Sequence, residues 1–397
     1  MLSNIHMTVN RRNLLKQLGA GIAASSLLAS RPASADTGES LPASETLPKH
    51  LEPIRLDRNE NAYGASRKAI AALQEAAKDT SRYADSGAFL KTLADYHREA
   101  ISGGGRIIKP EQIVVGCGST DVLRMAAAAF LAPGATLIMA TPTCDLIAKF
   151  GRSSGATIIE VPLRNDHAHD LEAMLKHSNK SGASGLIYVC NPNSPTGTLT
   201  ERKDLEEFLV KVSPKFQVVI DEAYHHYAGG SGAYMSFIDR PSNNPRVIVT
   251  RTFSAAYGLA GARVGYAITS PSNADKMLRE GLPFGLNRAG MFAASAALAD
   301  PEHVENCTNR NFNDRQEFMN QVNARMLRAL DSHTNFVCLN VMRPAVEISE
   351  HYARSNFVLA PLIPSMPNYL RISLGTPEEM HELWRVWDLL GSHPMSM

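Results

Sequence analysis

The chain has 397 residues, 44% of them hydrophobic and 20% charged, enough to bury a full core and to form two domains. Forty basic residues against thirty-nine acidic ones leave a formal charge of +1. That balance excludes a global field drawing in nucleic acid or an anionic membrane, so any anion specificity is local.

Asn10-Arg11-Arg12-Asn13-Leu14-Leu15-Lys16 is a twin-arginine pattern. A moderately apolar run over 18–29 and the A-x-A pattern Ala33-Ser34-Ala35 follow it. Residues 1–35 therefore read as a removable twin-arginine export signal, which predicts a periplasmic protein and the twin-arginine machinery as a partner. Residues 36–50 are polar and Pro-containing, a linker. No later segment holds the roughly 18 consecutive apolar residues that span a bilayer, so no stable membrane insertion is expected. Cys117, Cys144, Cys190, Cys307 and Cys338 are odd in number and lack C-x-x-C spacing, which leaves at least one thiol unpaired and gives no zinc signature. Burial as small apolar side chains is the favoured reading, with a redox role open in an oxidising compartment.

From about 105 to 270 the pattern is strand, turn and helix, repeated. Apolar β-rich runs near 112–116, 136–140, 156–161, 185–190, 216–221, 246–251 and 263–269 alternate with helix-length segments such as 121–131 and 170–177. Near-continuous apolar strands between helices predict a mainly parallel seven-stranded sheet covered on both faces. Such sheets bind ligands beyond the carboxyl ends of their strands. The N-terminal residues 51–84 and the C-terminal 301–397 are expected to form a smaller α/β domain beside a large one over 85–300.

Three motifs fall at those strand ends. In Thr252-Phe253-Ser254-Ala255-Ala256-Tyr257-Gly258-Leu259-Ala260-Gly261-Ala262-Arg263-Val264-Gly265, the hydroxyls of Thr252 and Ser254 and the guanidinium of Arg263 suit a phosphate. Gly258, Gly261 and Gly265 would let backbone approach closely. Gly116-Cys117-Gly118-Ser119-Thr120-Asp121 puts backbone N–H groups and the Ser119 and Thr120 hydroxyls at a helix start, either a phosphate site or an ordinary capped helix. Val218-Val219-Ile220-Asp221-Glu222-Ala223-Tyr224 ends a buried strand on a carboxylate that needs a partner. Its plain alternative is a loop acid beside a packed aromatic. His225 and His226 read as exposed loop histidines.

Together these motifs resemble fold-type I pyridoxal-phosphate (PLP) aminotransferases, in particular the histidinol-phosphate aminotransferase-like branch. Further segments agree in the same order over residues 54–390: Asn59-Glu60-Asn61-Ala62-Tyr63-Gly64, Arg82-Tyr83-Ala84-Asp85, Asn191-Pro192-Asn193-Ser194-Pro195-Thr196-Gly197, Thr334-Asn335-Phe336-Val337 and Leu370-Arg371-Ile372-Ser373-Leu374-Gly375-Thr376. The resemblance implies a fold-type I PLP-transferase architecture. It also implies PLP or pyridoxamine phosphate as cofactor, a small-molecule amino acid or amine as substrate, and a homodimer with no nucleic-acid partner. It places the cofactor phosphate among Gly118, Ser119, Thr120, Thr252, Ser254 and Arg263, with Tyr63 reaching over from the other subunit. Asp221 would face the pyridine nitrogen and Tyr224 the phenolic oxygen. Arg371 would receive a substrate carboxylate, or the phosphate of histidinol phosphate, with Tyr83 near the substrate.

Three positions depart from the motifs. Ala255 stands where the family has the lysine that forms the Schiff base and moves the proton. Ser194 replaces an asparagine that donates to the phenolic oxygen, and Cys144 replaces an aromatic that stacks on the ring. Three accounts fit Ala255: a deliberate substitution of an active enzyme, a natural protein with altered catalysis, and a non-catalytic holder of PLP, pyridoxamine phosphate or a phosphorylated amine. Cys144 and Ser194 argue against the first. Loss of general acid-base catalysis is commonly worth roughly 10²–10⁴-fold, so impaired amino-group transfer is the expectation.

Overall fold

The computed structural model describes residues 52–100, 107–180, 182 and 184–390. The export signal and linker expected over 1–50 lie outside them. Seven strands form the principal sheet: β2 (Ile113–Cys117), β3 (Thr136–Thr141), β4 (Thr157–Pro162), β5 (Gly185–Cys190), β6 (Phe216–Asp221), β7 (Val247–Thr252) and β8 (Val264–Ile268). Their order is β2-β8-β7-β6-β5-β3-β4, and only β8 runs antiparallel to its neighbours. All seven correspond to the apolar runs expected from the sequence.

The strand pattern explains the layering. Along β5, Leu186, Tyr188 and Cys190 face one core while Ile187 and Val189 face another, the two-residue alternation of a strand buried on both sides. Helices α3 (Gly118–Phe130), α4 (Leu146–Ser153) and α8 (Pro271–Arg279) cover the first face. Helices α5 (Leu171–Ser178) and α6 (Arg202–Lys211) cover the second. At the antiparallel edge, α1 (Arg67–Ala77), α2 (Gly87–Ala100) and α9 (Arg288–Leu298) pack a third core against β2 and β8.

A smaller α/β layer holds β9 (Arg328–Ala329), β10 (Phe336–Asn340) and β12 (Tyr369–Ser373) in the order β12-β10-β9. It packs against α10 (Pro301–Ala324), α11 (Ala345–Arg354) and α12 (Pro377–Asp388). Thr376 and Glu379 close a capping box that starts α12. The N-terminal segment is divided between the layers: β1 (Ile54–Leu56) pairs in parallel with β11 (Phe357–Leu359), whereas α1 packs on the core at the antiparallel edge of the principal sheet. No helix among the described residues is long and apolar enough to cross a membrane.

Candidate active site

The carboxyl ends of β2, β3, β5, β6 and β7 and the amino end of β8 meet at one edge of the sheet, because β8 alone is reversed. A cavity of about 270 Å³ opens there. Ser119, Thr120, Thr252, Ser254 and Arg263 line one part of it, and Cys144, Ser194, Asp221, Tyr224 and Arg371 line the rest. Ala255 is part of the wall, 5% exposed and packed with Ala256 and Tyr227.

The end made by α3 and β8 is set by backbone proximity. Gly118 has φ +77° and lies directly beneath Arg263, so a Cβ there would overlap the guanidinium. A Cβ at Gly265 would overlap the backbone of Gly118 and Ser119, which is why β8 can lie so close to the helix start. Gly261 meets nothing within 4 Å, so the close approach expected there is absent. Arg263 donates to the Ala260 carbonyl at 2.9 Å and to Ser254 Oγ at 3.5 Å, and Thr252 Oγ1 donates to Ser254 Oγ at 3.0 Å. Arg263 forms no ion pair among the described residues, so hydroxyls, helix N–H groups and a cation converge with no anion of the protein.

At the far end, Asp221 Oδ2 accepts from Tyr188 Oη at 2.8 Å and Oδ1 from the Ala223 N–H at 3.2 Å. Burial, with a smaller push from the Glu222 charge, moves its pKa up, against those two hydrogen bonds and the Thr250 hydroxyl. Its neighbour Glu222 has a different setting: Arg251 at 2.8 Å, Ser236 Oγ at 2.7 Å and the Phe237 N–H at 2.6 Å. Tyr224 Oη accepts from Asn59 Nδ2 at 2.8 Å. Burial pushes the Tyr224 phenol up to about 12, opposed by Arg371 and by the Asn59 hydrogen bond. Burial also raises the Cys144 thiol to about 11, with Asp221 adding to it, so it stays protonated at neutral pH.

Arg371 donates to the Asp57 carbonyl at 2.5 Å and to Ser194 Oγ at 3.4 Å, and lies 5.7 Å from the Phe336 ring centroid. Its Nε is buried with no hydrogen-bond partner. A larger cavity of about 620 Å³, walled by the loop 361–365, adjoins at Cys144, Ser194 and Arg371.

Two expected residues lie elsewhere in this chain. Tyr63 Oη donates to Asp314 at 2.5 Å beneath the Arg310 guanidinium. Tyr83 is 74% exposed and stacks on Phe284 at 4.3 Å. His225 and His226 are not exposed loop residues: they begin the short helix α7 (His225–Ala228), partly buried. Burial and the Arg251 charge push His226 down to about 3. Cys190, Cys307 and Cys338 are buried and all five thiols are free.

Sequence reasoning passed over Asn59, which holds Tyr224, and Tyr188, which holds Asp221. Asn59 takes a left-handed φ of 55°, a conformation asparagine tolerates, and sits in a motif that had been read for Tyr63 alone. Tyr188 carries no motif signal, being one apolar-run residue among six.

The cavity suits PLP on its own chemistry. An unpaired guanidinium among hydroxyls and helix N–H groups fits a phosphate, and an unpaired buried carboxylate fits a protonated ring nitrogen. A second guanidinium, that of Arg371, lines the same cavity and fits a further anion. No cluster of metal-ligating side chains occurs among the described residues.

Comparison with known proteins gives the family. The family "Aminotransferase class I and II" matches residues 52–386. The histidinol-phosphate aminotransferase of Methylobacillus flagellatus is 37% identical over 329 residues, 82% of this chain and 85% of that protein. Histidinol-phosphate aminotransferase 2 of Pseudomonas fluorescens is 36% identical over 328 residues, 82% of this chain and 85% of that protein. The crystal structure of the Sinorhizobium meliloti histidinol-phosphate aminotransferase in complex with PLP superposes with a TM-score of 0.76 at 28% identity, covering 84% of this chain and 89% of that one. The architecture is that of fold-type I PLP transferases, and the chain belongs to the class I and II aminotransferase family.

Proposed function

We infer that the protein binds PLP or pyridoxamine phosphate without a covalent lysine link. Amino-group transfer between an amino acid or amine and a 2-oxo acid is then impaired or altered. The observation that carries this reading is Ala255 in the wall of the cavity, with no lysine or histidine among the described residues lining it.

Ser119, Thr120, Thr252, Ser254 and the α3 N-terminus hold the phosphate, and Arg263 supplies its counter-charge. Asp221 keeps a proton on the ring nitrogen. Tyr224 and Ser194 face the phenolic oxygen, with Asn59 fixing the Tyr224 hydroxyl. When bound, PLP supplies a protonated ring able to accept electron density from the substrate Cα. Arg371, on the cavity wall, receives a substrate carboxylate or phosphate with its guanidinium. Ala255 has no group to take the Cα proton, and proton transfer then falls to solvent.

A second reading on the same fold is a non-catalytic holder of PLP, pyridoxamine phosphate or a phosphorylated amine. Cys144 and Ser194 set it apart from an enzyme changed at Ala255 alone, since both depart from the motifs at ring positions separate from Ala255 while the phosphate-fitting residues are kept. Twin-arginine export to the periplasm and a homodimer that brings Tyr63 to the other subunit's phosphate complete the proposal. The test is equilibrium binding of PLP and pyridoxamine phosphate to the purified chain, followed by a transamination assay. Binding with slow turnover supports the first reading and binding with none supports the second. No binding of either compound contradicts both.

A further inference from the structure

Asp221 and Glu222 follow one another in the chain, but only Glu222 has a cation. Arg251 bonds it at 2.8 Å and also donates to Ser236 Oγ, so that charge is committed behind the cavity. Among the described residues, no cationic side chain forms an ion pair with Asp221. Burial alone would drive such a carboxylate toward its neutral form, and a neutral Asp221 could not hold a proton on a ring nitrogen. Three groups oppose this: the Tyr188 hydroxyl at 2.8 Å, the Thr250 hydroxyl, and the Ala223 N–H at 3.2 Å.

Of these, Tyr188 makes the shortest hydrogen bond and opposes burial most. Strand register places it: Tyr188 lies beside Val219, two residues before the Cys190 and Asp221 pair. Its ring is fully buried in the core under α3 and α4, and its hydroxyl reaches Asp221 in the cavity lining, beside the Cys144 and Cys190 thiols. The other titratable groups around Asp221 are the Cys190 and Cys144 thiols, the Glu222 carboxylate and, across the cavity, Tyr224, Arg58, Arg263 and Arg371. Burial raises both thiols and the Tyr188 phenol. All three remain protonated, and none adds negative charge beside the carboxylate.

We propose that Tyr188 is a positioning residue that orients Asp221 and holds it in the charged form, so that the grip on a protonated ring nitrogen depends on this phenol. The proposal rests on the cofactor reading above, since a ring nitrogen must face Asp221. A hydrogen bond to a charged group corresponds to roughly 10- to 100-fold in an equilibrium constant, or about one to two pH units.

The test measures pyridoxamine-phosphate affinity against pH for the full chain, for Tyr188→Phe and for a protein carrying 3-fluorotyrosine at position 188 alone. In the parent, affinity falls as acid protonates Asp221. In Tyr188→Phe that fall moves to higher pH by about one to two units, with affinity unchanged at alkaline pH where Asp221 is charged in both. The fluorinated phenol fills the same space and is a stronger donor, so it moves the fall to lower pH. This keeps the test decisive if Tyr188→Phe fails to fold. In an Asp221→Asn background neither change moves the profile. A parent that binds with a fall unmoved by either substitution, or affinity lowered equally at every pH, overturns the Tyr188 assignment alone. A parent that binds at no pH overturns the cofactor reading and the assignment with it.

Discussion

The two ends of the cavity are built differently, and the difference explains which could change. At the phosphate end, the position of Ser119 follows from a backbone contact, Gly265 against Gly118 and Ser119, and Gly118 leaves room for the Arg263 guanidinium. A side chain at Gly265 would push β8 from the start of α3, so the fold itself preserves that part of the site. At the ring end, Cys144, Ser194 and Ala255 project from loops beyond β3, β5 and β7. Their side chains can be exchanged without moving a strand, and all three departures from the resembling motifs fall there. The three departures touch the ring end and leave the anion-fitting end as the motifs have it.

The sharpest way to break the contrast is to damage the support behind the ring end. Glu222→Gln leaves Arg251 buried without a counter-charge, and breaking a buried pair costs about 3–5 kcal/mol. Urea denaturation of Glu222→Gln should show that loss. The ring end counts as independent of its support only if Glu222→Gln binds PLP as the parent does once folded.

How far the sequence reached differs along the same line. Seven strands were legible because continuous apolar runs such as Val218-Val219-Ile220 mean burial on both faces, and Asp221 was legible as a charge ending such a run. The backbone-built phosphate end was readable from Gly118 and Arg263, although Gly261 shows that a glycine in a motif need not touch anything. Tyr188 was not readable, since its hydroxyl matters only through pairing of β5 with β6, and pairing is not written in either strand alone. His225 and His226 were misread because they begin a short helix that partly buries them.

A middle-sized effect is predicted at the phosphate end. Arg263→Ala should weaken PLP binding by roughly 10- to 100-fold, the value of a hydrogen bond to a charged group, and inorganic phosphate should compete with PLP in the parent but not in the variant. Isothermal titration at fixed ionic strength measures both, and an unchanged affinity would remove Arg263 from the site.

The smallest predicted effect restores a ring face. Cys144→Tyr returns an aromatic to the wall, and an aromatic pair is worth about 0.5–1.5 kcal/mol, so PLP affinity should rise by up to about tenfold. Equal or lower affinity would mean that Cys144 does not face the ring.

The most direct test of the central claim is the visible absorption spectrum and transamination rate of Ala255→Lys beside the parent, each mixed with PLP and desalted. The account predicts that the variant alone gains the longer-wavelength band of lysine-linked cofactor and transaminates amino acids faster by roughly 10²–10⁴-fold. A parent already showing that band, or a variant that gains neither band nor activity while still binding PLP, would contradict it.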